Sequence, residues 1–214
     1  MTLLLIDTST ARCAAFVRHD DQDSQLIEPG SRGQDARLAL MVHDLLVTAG
    51  LSPKDINRIG VIIGPGAFTG VRIGVSFARG LGLALSVPVM GMNALDVFAL
   101  SGAEHGHSAG VCDIGRGELA YRLCEQGTLQ GEYETAPVEE AMAQICAFGS
   151  DKPVYISGTA AAHLDGEILR DTGNNDLDMA VMADLLLAGS LPRLEALPWY
   201  HRPPDAKLPG GITP

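Results

Sequence analysis

The chain opens on an apolar run, TLLLID at 2–7, and two apolar-rich stretches follow at 13–18 (CAAFVR) and 24–29 (SQLIEP). Runs of this length, bounded by polar and turn-forming positions, predict three strands. SRGQ at 31–34 then places Ser31 three residues before Gln34, the spacing of a capping box. The helix it opens carries Leu38, Met41, Val42, Leu45 and Leu46 on one face and stops at Gly50. RIGVII at 58–63 is apolar throughout and predicts a buried strand. A helix from Thr69, a strand at 87–91 and a helix at 93–101 complete this half.

The second half repeats the order. Strands fit 109–113, 118–125 and 128–135, a helix fits 138–148, a strand fits 153–157, and helices fit 159–170 and 176–188. A fifth strand is not apparent there. Strand, strand, strand, helix, strand, helix is the order of an RNase H-like unit. Two in tandem predict an α/β fold of actin/hexokinase-like architecture, with lobes at 1–103 and 104–214 and the second lobe reduced. In that architecture a nucleotide sits between the lobes, held by two hairpins that each begin with Asp. Asp7-Thr8-Ser9 and Asp113-Ile114-Gly115 stand at the matching places. Such carboxylates hold Mg²⁺ through water while small neighbours let phosphates approach; the same residues also cap tight turns without any ligand.

GPGAFTGVRIG, from Gly64 to Gly74, has the look of a phosphate loop between strand and helix. It fits neither phosphate template. The P-loop spacing requires glycine where Pro65 stands and lysine where Val71 stands. The dinucleotide spacing is exceeded by one residue across Gly64, Gly66 and Gly70. The helix beyond offers another reason for the glycines. Gly70, Gly74, Ala78 and Gly82 recur every fourth residue and form one ridge of small side chains. Interior glycine costs a helix about 1 kcal/mol against alanine, so close approach of another backbone is expected. That backbone belongs either to the same lobe or to a second subunit. On the second reading Gly66, Phe68, Thr69, Val71, Arg72 and Val75 join the ridge in an interface, Arg72 and Arg79 flank the contact, and Thr69 caps the helix.

Charge adds an asymmetry. The net charge is −11, with 46% apolar and 19% charged residues. Residues 1–103 carry 8 Lys/Arg against 9 Asp/Glu, while residues 104–214 carry 7 against 17. An acidic surface repels phosphate backbones, which argues against unaided nucleic-acid binding. The near-neutral half is the better place for a protein interface. The four cysteines are scattered, and the run at Leu3–Ile6 is too short for a signal peptide, so a cytosolic protein with buried thiols is expected. Residues 81–100 are apolar but hold Pro88, Gly91, Asn93 and Asp96, which divide them into helix end, strand and new helix rather than a membrane span. His105-Gly106-His107 has no third ligand at usable spacing and is expected in a solvated loop.

Taken together, IDTST near the start, GPGAFTGVRIG, VPVMGMNALD, DIGRGELAY (113–121) and LPWYHRPPDAKLPG (197–210) resemble the TsaB family, also called YeaZ. The resemblance spans nearly the whole chain. It implies an actin/hexokinase-like fold in the bacterial cytoplasm and a part in forming threonylcarbamoyl-adenosine (t6A) next to the anticodon of tRNA. It further implies a non-catalytic scaffold that pairs with the larger TsaD through the first lobe, pairs with itself when alone, and is joined by the ATPase TsaE. ATP and Mg²⁺ would be used by the complex, with no cofactor held tightly here and tRNA met only through the complex. Gly64 to Gly74 and the following helix match the family's dimer-forming segment. Asp113, Arg116, Gly117 and Glu118 match its DxRxGE-type hairpin, with Ile114-Gly115 in place of the usual pair. Many members carry His where this chain has Gln34, and TsaD-type relatives hold a metal with two histidines on the equivalent helix. Here that helix has only His43, so no metal is expected.

Two other functions remain open from the residues. One is an ATPase or kinase using Asp7 and Asp113. The other is a glycoprotease-like peptidase, for which Ser9, Cys13 and Cys112 are the candidate nucleophiles, each without a nearby His in sequence.

Overall fold

The computed structural model describes residues 1–30 and 33–200. β1 (Thr2–Asp7) is buried along its full length because it is the central strand of its sheet. It pairs antiparallel with β2 (Arg12–His19), which pairs antiparallel with β3 (Gln22–Pro29). On its other side it runs parallel to β4 (Arg58–Gly64), and β4 to β5 (Val89–Asn93). The order is β3-β2-β1-β4-β5. α1 (Gln34–Thr48) and α2 (Phe68–Leu85) are the parallel crossovers. Side chains of β1 alternate between two cores. Leu4 and Ile6 meet α1 and α2, and the buried face of α1 includes Leu38, Met41, Val42, Leu45 and Leu46, the apolar face its sequence predicts. Leu3 and Leu5 point the other way, into a core between the two sheets.

The second sheet repeats the design. β6 (His107–Asp113) pairs antiparallel with β7 (Glu118–Glu125), and β7 with β8 (Thr128–Pro137). It runs parallel to β9 (Val154–Ser157), and β9 to β10 (Leu169–Asp171). α4 (Val138–Gly149) covers its outer face. The topology is thus the same in both lobes, which is the expected tandem architecture. The sheet of the second lobe is not shortened: β10 is its fifth strand. The helix expected over 159–170 is instead a single 3₁₀ turn, Ala161–His163, followed by β10. Gly166 lies close against Leu169, where the chain turns into this strand.

α3 (Ala94–Ser101) and α5 (Met179–Ala188) fill the space between the sheets. Asn93 caps α3 by accepting from the Leu95 N–H at 2.9 Å. Asp178 caps α5 through the Ala180 and Val181 N–H groups. α3 packs on β6 and β7, whereas α5 packs back on β1 and β2, so each lobe contributes to the shared core. The chain then returns to the first lobe. Leu194 bridges Gly91, and the Trp199 N–H donates to the Ile63 carbonyl at 2.7 Å. No helix among the described residues is long and apolar enough to cross a membrane. His105 is exposed on a 3₁₀ turn before β6, where it stacks on Tyr155 with ring centroids 4.0 Å apart, whereas His107 is the first residue of β6 rather than part of a loop and packs edge-on against Phe148.

Candidate functional site: the Asp7 turn and the outer face of α2

The first hairpin turn is closed on itself. Asp7, Thr8 and Ser9 are all buried. One Asp7 carboxylate oxygen accepts from the Ser9 N–H (2.8 Å) and the Ser9 hydroxyl (2.6 Å), and the other lies 3.4 Å from the Arg12 guanidinium. Arg12 also reaches the Leu177 carbonyl, tying the turn to the segment before α5. These bonds complete an Asx-type turn from within.

The glycine loop lies directly on this turn. The loop passes through a cis Gly64–Pro65 peptide, and the Ala67 N–H donates to the Ser9 carbonyl at 2.7 Å. A Cβ on Gly66 would fall within 3.0 Å of the Ser9 carbonyl oxygen, and one on Gly70 within 3.0 Å of the Thr8 carbonyl oxygen. The Thr8 hydroxyl donates to the Gly70 carbonyl at 2.7 Å, and a Cβ on Gly74 would collide with that same hydroxyl. Further along, Gly82 lies against Val89 of β5. The glycines therefore serve close approach, of backbone to backbone at Gly66 and Gly70 and of backbone to side chain at Gly74 and Gly82, and what they approach is the chain's own lobe.

This corrects the reading of the ridge as a subunit surface. Gly70, Val71, Gly74, Val75, Ala78 and Gly82 are all buried inside the lobe. Gly66, Phe68, Thr69 and Arg72 are exposed. Thr69 does not cap the helix; α2 begins at Phe68, its N-cap is Ala67, and no side chain caps it. The capping pair read at Ser31 and Gln34 falls partly outside the described residues, since Ser31 is not among them; the N-cap of α1 is Gly33. Gln34 is buried and ties α1 to β2, its side-chain N–H donating to the Arg12 carbonyl at 2.9 Å.

The outer face of α2 is different in kind. Phe68 is 46% exposed, and the Arg72 guanidinium lies over its ring at 3.7 Å. A shallow groove of about 420 Å³ runs along this face, lined by Asp35, Phe68, Thr69, Arg72, Ile73, Ser76 and Phe77. Leu83, one further turn and a half along, is 84% exposed. Ile73, Ser76, Phe77 and Leu83 were not singled out by the sequence, although they are what remains of the helix once the ridge is assigned inward.

The second turn is open. Asp113 is exposed, and its carboxylate accepts from the Gly115 N–H at 2.7 Å. Gly115, Arg116 and Gly117 all have positive φ; Ile114 packs toward the core between the sheets, and the Gly117 carbonyl accepts from the Val138 N–H at the start of α4. Among the described residues no group of three or more His, Cys, Asp or Glu is placed to hold a metal ion. His43 is exposed on α1. Burial pushes the Cys112 thiol up to about 11 and raises that of Cys13 as well. A thiol so shifted is a poor nucleophile.

A model of the family described as TsaD, tRNA N6-adenosine threonylcarbamoyltransferase, matches residues 28–141. The tRNA threonylcarbamoyladenosine biosynthesis protein TsaB of Escherichia coli is 36% identical over 139 residues, covering 62% of this chain and 60% of that protein. TsaB of Bacillus subtilis is 34% identical over 121 residues, covering 56% and 53%. The chain therefore spans little more than half the length of the curated relatives it matches. YeaZ from Pseudomonas aeruginosa superposes with a TM-score of 0.75 at 27% identity, covering 93% of this chain and 99% of that one. A Bacteroides thetaiotaomicron protein of actin-like ATPase fold and unknown function superposes with a TM-score of 0.51 at 11% identity, over 86% and 95%, a likeness of fold alone.

Proposed function

We propose that this chain, which belongs to the TsaD threonylcarbamoyltransferase family and within it to the TsaB (YeaZ) group, is a non-catalytic subunit in the synthesis of t6A on tRNA. On this reading it docks a TsaD-type homologue through the outer faces of α1 and α2, and it pairs with a second copy when that homologue is missing. A TsaE-type ATPase joins the assembly, which uses ATP and Mg²⁺ and meets tRNA through its other members. The setting is the bacterial cytoplasm.

The observation that carries the proposal is the division of labour on α2. Its inner face occupies the Asp7 turn, leaving Asp7 bonded to Ser9 and Arg12, while its outer face presents an aromatic–arginine cluster to solvent. Exposed Phe and Arg beside a groove are residue types enriched at protein interfaces. The family match covers α1 and α2, so a homologue carries the same pair of helices to set against these. The near-neutral charge of residues 1–103 spares two such lobes mutual repulsion.

The test is light scattering on the purified chain, alone and mixed with the TsaD-type protein of the same organism. Arg72→Glu and Phe68→Ala are each expected to weaken the mixed complex by about 2 kcal/mol or more, with unchanged melting temperatures. Full-strength binding by both variants refutes the docking face. Gly74 is unsuitable for this purpose, since a side chain there meets Thr8 inside the lobe.

An independent ATPase or kinase is the second reading, favoured by the exposed Asp113 turn alone. It requires steady ATP hydrolysis by the isolated chain that is lost in Asp113→Ala, a surface change that spares the fold. A rate at background in the wild type removes it. The peptidase reading has least support, given the raised thiols of Cys13 and Cys112.

A further inference from the structure

The groove on α2 already has an occupant at one end. Leu194 bridges Gly91, and the Trp199 N–H donates to the Ile63 carbonyl, so residues 194–199 are strapped to β4 and β5. Trp199 is further wedged against the Tyr133 ring, centroids 5.5 Å apart. This strap delivers Tyr200 to the first turn of α2. Its ring lies 5.3 Å from that of Phe68, and its hydroxyl oxygen accepts from the Arg72 Nε–H at 2.7 Å. The Arg72 guanidinium lies over the Phe68 ring, 3.7 Å from its centroid, and 5.5 Å from that of Tyr200.

Tyr200 thus engages the side chains a docked partner would need: the Phe68 ring and the Arg72 guanidinium. It does so from the surface. Tyr200 is 39% exposed and Phe68 is 46% exposed, so the contact can open without disturbing a core. Trp199, one residue before, is held by both a backbone bond and a ring contact. Rotation about the bonds between Trp199 and Tyr200 is enough to release the ring while the strap stays in place.

We infer that Tyr200 is a latch: it competes with the TsaD-type partner for Phe68 and Arg72, and docking requires it to swing off α2. This rests on the docking face proposed above. A protein whose binding-competent form is only fractionally populated shows an affinity reduced by that fraction. The latch therefore sets a threshold on pairing by holding the Phe68 ring and the Arg72 guanidinium engaged in the free chain.

The experiment measures the affinity of the TsaD-type protein for the wild-type chain, Tyr200→Ala, Tyr200→Phe and Phe68→Ala. Removing the latch is expected to tighten binding about five- to tenfold, the size of a closed-latch population of about eight to nine in ten. Tyr200→Phe keeps the ring but loses the acceptor for Arg72, and falls between. Unchanged or weaker binding by Tyr200→Ala overturns the latch, the weaker result making Tyr200 part of the docking platform instead. Phe68→Ala separates this failure from that of the docking face: if it binds at full strength, the face itself is wrong. A second readout needs no affinity. Trp199 is the only tryptophan of the chain, so incorporation of 5-fluorotryptophan gives one fluorine signal beside the latch. That signal is expected to shift on adding unlabelled partner, and to start nearer its bound position in Tyr200→Ala. A signal that stays in place on binding overturns the proposal. So does tighter self-association in Tyr200→Ala with no gain for the TsaD-type protein.

Discussion

Gly70→Ala is expected to cost this protein about 3 kcal/mol or more, the range reserved for a clash that nothing flexible can relieve. The added methyl would enter within 3.0 Å of the Thr8 carbonyl oxygen, a backbone atom. Thr8 cannot yield cheaply, because it is buried and its hydroxyl donates to the Gly70 carbonyl itself. Behind it, the Asp7 carboxylate is bonded to Ser9 and Arg12. The helix must therefore move off the turn, opening the core that Leu4, Ile6, Val71 and Val75 share. For a chain of this size the loss corresponds to a fall in Tm of about 10 °C. Gly80→Ala, ten residues along the same helix, is the control. Nothing lies within 4 Å of a Cβ there, so the exchange is expected to stabilise by about 0.5–1 kcal/mol through helix propensity. Thermal melts of both proteins decide the matter. Equal melting temperatures for Gly70→Ala and the wild type would mean that the loop does not sit on the Asp7 turn.

This pair of glycines also marks where reading the sequence stops. A small residue at every fourth position of a helix announces that something approaches closely. It carries no record of what approaches, because the Thr8 carbonyl lies 62 positions back in the chain and leaves no trace in the helix periodicity. The tandem order of strands and helices was legible for the opposite reason. TLLLID and RIGVII are apolar on both faces because each is covered on both faces, and the α1 pattern is dense because α1 covers one. β10 was not legible. It is three residues long with one buried side chain, Leu169, too short for any period to show. Ala160 and Ala161 resemble the start of a helix, but Gly158 at φ +124° and Gly166 bound a single turn.

The candidate site was half legible. Phe68, Thr69 and Arg72 stand where a surface contact was expected, on the side of α2 opposite the ridge that had suggested it. Tyr200 was visible only as one letter of a tail motif. Its pairing with Arg72 spans 128 positions and depends on Leu194 and Trp199 being anchored first. Asp96 was read merely as a polar break in an apolar stretch. In the folded chain it is fully buried on α3, and its partners arrive from β7 and β8.

Those partners make Arg122→Met the most revealing change in the second lobe. One Asp96 carboxylate oxygen accepts from the Tyr133 hydroxyl at 2.6 Å, and the other faces Arg122 Nε at 3.4 Å. Arg122 also donates to the Gly131 carbonyl and lies over the Tyr133 ring, which holds it in place. Burial raises the Asp96 pKa; the Tyr133 hydrogen bond and the Arg122 charge pull it part of the way back. A carboxyl whose folded pKa lies above its unfolded value of about 3.9 contributes stability that is fully present below that value. The contribution is lost as pH rises through the folded pKa. Removing Arg122 takes away one of the two opposing influences, so the folded pKa rises further and the charged form is left without its counter-ion. Breaking a buried pair in this way costs about 3–5 kcal/mol at neutral pH. The penalty is expected to be larger at pH 7.5 than at pH 5, where more of the carboxyl can take up a proton. Asp96→Asn combined with Arg122→Met removes the stranded charge and is expected to recover much of the loss at pH 7.5, with little pH dependence remaining from this site. Urea unfolding at the two pH values measures all three proteins. A penalty for Arg122→Met that is equal at both, or a double variant no more stable than the single one, would show that the charge on Asp96 is compensated by something other than Arg122.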